Sequence, residues 1–163
     1  VRLGPDHILG EEGRGLELSG KWLGMWRIWV GATCCGKAER LFEMAKSWAA
    51  ERKQFGQAIG KFQATGFKLA DMATEIEASR LMCLSAAWQK DMGLDFSESS
   101  AMAKLFSAEK AMRITTEAVQ IHGGYGFVKE YHVERLMRDA KITQIYEGTS
   151  EIQKIVISRS ILK

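Results

Sequence analysis

Apolar residues recur near a helical period over long stretches of this chain, and short glycine-rich breaks separate the stretches. From about Lys21 to Arg52 the pattern is helical, contains no proline, and closes on the helix formers Ala49, Ala50 and Glu51. Phe55-Gly56-Gln57-Ala58-Ile59-Gly60 interrupts it. A second helix is predicted from about Phe62 to Met92, with Phe62, Leu69, Met72, Ile76 and Leu84 on its apolar face and Gly93 as a stop. Ser97-Glu98-Ser99-Ser100 opens a third, which runs through Met102, Leu105, Met112 and Val119 to Ile121. His122-Gly123-Gly124-Tyr125-Gly126 ends it. A shorter helix over about 133–143 and a last one over about 149–162, with Thr149 as N-cap, complete the pattern.

Three long helices followed by two short ones predict an all-α, up-down, four-helix-bundle-like domain over residues 21–163. Residues 1–20, with glycines and one proline between short apolar pieces, read as an irregular tail entering from a preceding β-domain. A start on VRLGPDHIL rather than Met suggests the middle of a longer protein.

Bulk composition changes this picture little. At 163 residues the chain is long enough to bury a core without metal or disulfide staples. A net charge of +3 is too weak to argue for nucleic acid. Cys34 and Cys35 are adjacent and Cys83 is distant, with no C-x-x-C, which fits a reducing compartment. No apolar run is long enough to span a bilayer.

The richest chemistry lies in Arg135–Arg159. There Glu147 stands at a Tyr-Glu-Gly-Thr corner between two helical patterns, with Tyr146 before it and Gly148 after it. A carboxylate so placed can be desolvated yet open to a ligand, and desolvation favours general-base work near neutrality. On local chemistry alone the favoured reading is an exposed loop glutamate. Arg52 is likewise a helix-end cation, and His122-Gly123-Gly124 a helix stop, unless something else gives them a role.

The segment resembles the active-site stretch of acyl-CoA dehydrogenases, and other motifs follow the same family in order. Glu51-Arg52-Lys53-Gln54-Phe55-Gly56 resembles its arginine loop, and Phe62-Gln63 with Leu69-Ala70-Asp71-Met72 comes next. Ala101-Met102-Ala103-Lys104-Leu105-Phe106 and Gln120-Ile121-His122-Gly123-Gly124-Tyr125-Gly126 complete the series. The resemblance is greatest to short-chain or butyryl-type members. It implies α,β-dehydrogenation of an acyl-CoA thioester with Glu147 as the base and FAD as cofactor. By resemblance Arg52, Phe55, Gln63, Thr149 and Glu151 contact FAD, and Gln120, Ile121, His122, Gly123 and Gly124 cover its adenosine-pyrophosphate half from a neighbouring subunit. Arg27, Tyr146 and Gly148 fall at substrate-side positions. The family's known habits imply a homo-oligomer, electron-transferring flavoprotein as partner, and a mitochondrial matrix or bacterial cytoplasmic location. Its N-terminal helical domain and most of its middle β-domain are not in this segment, so the chain alone should be catalytically silent.

One region departs from the family. In KWLGMWRIWVGATCCGK, Arg27 and Ile28 keep its identity, but Trp26 and Trp29 stand where it has glycines. Isovaleryl- and long-chain-type members carry their base at the Trp26 position, and tryptophan cannot serve, which leaves Glu147. Trp22, Trp26 and Trp29, with Thr33, form one helical stripe. Such a stripe is read three ways: as core, as an aromatic surface on a natural or engineered non-enzymatic scaffold that binds a protein partner, or as an acyl pocket reshaped for an unusual substrate.

Overall fold

The computed structural model describes residues 1–163, apart from the side chain of Lys21. Five helices carry the fold: α1 (Gly15–Glu51), α2 (Gln63–Asp91), α3 (Ser97–His122), α4 (Val133–Lys141) and α5 (Ser150–Ile161). They form the expected all-α bundle. Helix α3 is its centre, packing against α1, α2, α4 and α5.

Helix α1 begins at Gly15, six residues before the expected start. The glycines nearby read as loop, but Arg14 reaches Glu17 from Nε at 2.9 Å and Glu11 from Nη1 at 3.1 Å, tying the first turn together. Glu17 also sits where the positive helix end favours an acid. The break after α1 is a two-stranded hairpin, β1 (Lys53–Gln54) against β2 (Gln57–Ala58), with Lys53 opposite Ala58 and Gln54 opposite Gln57. Its turn residues Phe55 and Gly56 have φ of +52° and +82°, the left-handed pair that matches strand twist.

The core runs along one face of α1, through Ala38, Leu41, Ala45 and Ala49, and meets Met72, Ile76, Ile114 and Ala118. Small residues let the helices close up. A Cβ on Gly31 would stand 2.7 Å from Cys83 Sγ, so α1 and α2 could not approach as they do with any larger residue there. Glu75 on α2 is buried and is met by Arg113 and, at 2.8 Å, by Lys110, both from α3. All three cysteines are buried and free. Among the described residues no helix is long and apolar enough to cross a membrane.

The tryptophan stripe is not core in this chain. Trp22, Trp26 and Trp29 are 61%, 37% and 67% exposed. The buried line on α1 runs through Arg27, Val30, Cys34, Ala38 and Leu41, one residue (about 100° of helix rotation) away. Periodicity had identified a stripe correctly, but the packing of α3 selected its neighbour.

Candidate functional site

The Glu147 corner is built from the end of α4 upward. A 3₁₀ turn over Ile142–Gln144 reverses the chain, and Glu147 and Gly148 then adopt φ of +54° and +90°. The left-handed region costs a non-glycine residue about 1–2 kcal/mol, so the surroundings must enforce it at Glu147. They do so through both carbonyls. Gln153 Nε2 donates to Glu147 O at 3.1 Å and to Gly148 O at 2.9 Å, and Lys104 Nζ donates to Gly148 O at 2.7 Å. Thr149 caps α5, its Oγ1 accepting from Ile152 N at 3.3 Å. Ser150 Oγ donates to Glu109 of α3 at 2.6 Å, which pins the helix start to the bundle centre. Gly148 has no substitute here, since a Cβ would stand 2.6 Å from Gln153 Nε2.

This scaffold leaves the Glu147 side chain half-buried at the wall of a cavity of about 380 Å³. Leu18, Trp22, Leu23 and Trp26 of α1 and Leu9 of the N-terminal segment supply its apolar walls. Tyr146 lies beside it, its phenol raised above the ordinary value by partial burial. Arg27 is buried, and its Nε has no partner among the described residues. Burial lowers the pKa of Arg27. It does the same to Lys104, where Arg27 adds to the effect while Glu109 and Glu147 oppose it.

A second cavity, of about 500 Å³, lies at the far end of α1, between Trp48, Arg52 and the glycine turn after α3. Trp48 stacks on His122, with centroids 5.1 Å apart, and leans on Tyr125 at 5.2 Å. The Arg52 guanidinium lies 5.4 Å above the Tyr125 ring. His122 Nδ1 is 2.8 Å from Ala118 O and donates to it, which fixes the tautomer. Gly123, at φ +62°, terminates α3, and open space faces both Gly123 and Gly124.

The predicted site residues therefore separate into four places. Arg52 and Ile121 to Gly124 line one cavity, with Gln120 exposed just before it. Phe55, 93% exposed, projects from the hairpin and meets Phe62 edge-on, with exposed Gln63 next along. Thr149 and Glu151 stay with the Glu147 corner, as do Gly148 and Tyr146. Trp22 and Trp26 line the Glu147 cavity, and all three stripe tryptophans line an apolar groove of about 450 Å³ between α1 and α2. Sequence reasoning missed Lys104, Gln153, Trp48 and Tyr125. Lys104 had a readable signal: it shares a helical face with Ala101, Ala108 and Ala111, an apolar face where a lysine is out of place.

Fold and site together define an all-α bundle that presents a carboxylate on a hydrogen-bonded helix corner and an aromatic, arginine-bearing cavity at its other end. Residues 13–162 match the family described as acyl-CoA dehydrogenase, C-terminal domain, and the chain belongs to that family. It is 48% identical over 158 residues to the short-chain-specific acyl-CoA dehydrogenase of Clostridium acetobutylicum, covering 97% of this chain and 42% of that protein. The solved butyryl-CoA dehydrogenase of Megasphaera elsdenii superposes with a TM-score of 0.97 at 46% identity, over 99% of this chain and 42% of that one. A chain in the structure described as the electron transferring flavoprotein of Acidaminococcus fermentans gives 0.95 at 49% identity, over 97% and 42%. The chain thus spans well under half the length of these relatives. Members of the family are FAD-dependent flavoproteins.

Proposed function

We propose that this domain supplies the α-proton base, Glu147, to an FAD-dependent acyl-CoA dehydrogenase. The observation that carries the reading is the fixed Glu147 corner opening on a cavity with apolar walls. A base needs that combination: a carboxylate carried on a held backbone, next to a space where a thioester's α-carbon can sit. Glu147 accepts the α-proton, the new C=C forms between the α- and β-carbons, and the β-hydride leaves the substrate. Bound FAD would supply the hydride acceptor. Leu18, Leu23 and Trp26 exclude water from the acyl chain.

The second cavity fits part of the cofactor. Arg52 is a fork of donors suited to phosphate, the open Gly123–Gly124 backbone admits an anion closely, and Trp48 and Tyr125 offer ring faces. Phe55 and Gln63 follow the C-terminal end of α1 while Thr149 and Glu151 sit with the Glu147 corner near its other end, so the cofactor is shared with other domains or subunits. Self-association through the bundle, short-chain acyl-CoA as substrate, electron-transferring flavoprotein as electron acceptor, and a cytoplasmic or matrix location belong to the same reading. So do a tail role for the residues before α1, which starts at Gly15 and not after residue 20, and the inactivity of the chain alone. In the complete FAD-loaded protein, Glu147→Gln should abolish thioester dehydrogenation while FAD stays bound. Retained turnover would remove Glu147 as the base.

A second reading has its own observation. Trp22, Trp26 and Trp29 are exposed together on α1, with Trp26 and Trp29 edge-on at 5.0 Å, and this surface suits a protein partner.

A further inference from the structure

We propose that Trp26 sets the length of acyl group that the Glu147 cavity accepts, by closing that cavity off from the apolar groove between α1 and α2. The inference rests on the reading of the Glu147 cavity as the acyl site. Two spaces lie side by side along α1. One, of about 380 Å³, has Glu147 in its wall together with Leu9, Leu18 and Leu23. The other, of about 450 Å³, is walled by Met25, Ile28 and Trp29 of α1 and by Ala87 of α2. Trp22 and Trp26 belong to the walls of both.

Of these two, Trp26 is the better placed to act as a partition. It is the least exposed tryptophan of the stripe, and Trp29, three residues on, meets it edge-on at 5.0 Å. Its backbone is held as well, since Arg27 beside it and Val30 one turn further are buried on the packed side of α1. Trp22, one turn earlier, is far more exposed. An acyl chain lying beside Glu147 therefore meets a braced indole before it reaches the groove. A longer chain must displace that ring, and an edge-on aromatic pair carries a favourable energy of its own that displacement would forfeit. The indole also gives the cavity an apolar end, so a chain that fits gains burial there. The groove behind is apolar too, and removal of the indole would join the two spaces into one longer channel suited to further methylenes.

The test compares butyryl-CoA with octanoyl-CoA in the complete FAD-loaded protein and in its Trp26→Ala, Trp26→Phe and Met25→Ala variants. Trp26→Ala opens the partition. It should raise kcat/KM for octanoyl-CoA relative to butyryl-CoA by about tenfold or more, because each further buried methylene is worth several-fold. Trp26→Phe opens it less and should give an intermediate rise. Met25 lines the groove and not the Glu147 cavity, so Met25→Ala widens the groove behind an intact partition and should leave the ratio unchanged. An unchanged ratio in Trp26→Ala, or an equal rise in Met25→Ala, overturns the proposal. A binding measurement separates it from the base reading. In the Glu147→Gln protein, adding Trp26→Ala should tighten octanoyl-CoA binding by about tenfold in calorimetry, and an unchanged Kd overturns the partition. Turnover retained by Glu147→Gln alone would remove the base reading instead, and the Kd comparison would still decide the role of Trp26.

Discussion

Gly148→Ala tests the hold of Gln153 on the Glu147 corner with one methyl group. The residue has φ of +90°, where adding a Cβ costs about 1–2 kcal/mol. That methyl would also stand 2.6 Å from Gln153 Nε2. Gln153 is fully buried, so it must withdraw into packed surroundings and give up its bonds to Glu147 O and Gly148 O. Two such bonds contribute about 1 kcal/mol each. The sum is about 3–4 kcal/mol, which for a domain of this size lowers Tm by roughly 10 °C. Gly56→Ala is the comparison, because its φ of +82° is similar but nothing lies within 4 Å of the added atom. It should cost only the backbone share, about 1–2 kcal/mol. Both variants would be followed by far-UV circular dichroism in urea and on heating. Equal losses in the two would refute the reasoning, since the Gln153 contribution would then be absent.

Three other outcomes follow from the same structure. Burial lowers the Lys104 pKa in the fold, so between that value and the ordinary lysine value the unfolded chain binds more protons. Stability should therefore rise with pH across that window, and urea titrations of Lys104→Met should lack the rise; a parallel slope would show that Lys104 does not titrate abnormally. Trp26→Ala should change the stability of the free chain by less than about 1 kcal/mol, because that side chain is on the exposed face, and a loss of several kcal/mol in thermal unfolding would make it core. FAD titrated into the chain and followed by flavin fluorescence polarisation should bind saturably, with Arg52→Ala weakening it roughly tenfold through one lost charge-assisted bond. No saturable binding would leave the second cavity without a cofactor role in this chain.

The three long helices were legible because their apolar periodicity runs over more than twenty residues, long enough to exclude a strand reading. The first turns of α1 were not, since Gly13, Gly15 and Gly20 look like loop and only the reach of Arg14 to Glu11 and Glu17 shows that the chain is already helical. Periodicity located the tryptophan stripe, yet which side of α1 turns inward depends on α3, a long-range choice that no local pattern encodes. Glu147 could be picked out from Tyr-Glu-Gly-Thr, but its left-handed backbone could not, because Gln153 and Lys104 enforce it from elsewhere. Lysine reads as surface by habit, and so the residue beneath the corner was passed over.

The most direct measurement is solvent-deuterium exchange at the α-carbon of a short acyl-CoA, run on the complete FAD-loaded protein and on its Glu147→Gln variant. If Glu147 is the base, the unmodified protein exchanges the α-proton and the variant loses exchange by about 10²–10⁴-fold while keeping its flavin. Exchange at the unmodified rate in the variant would place the base elsewhere and contradict the account.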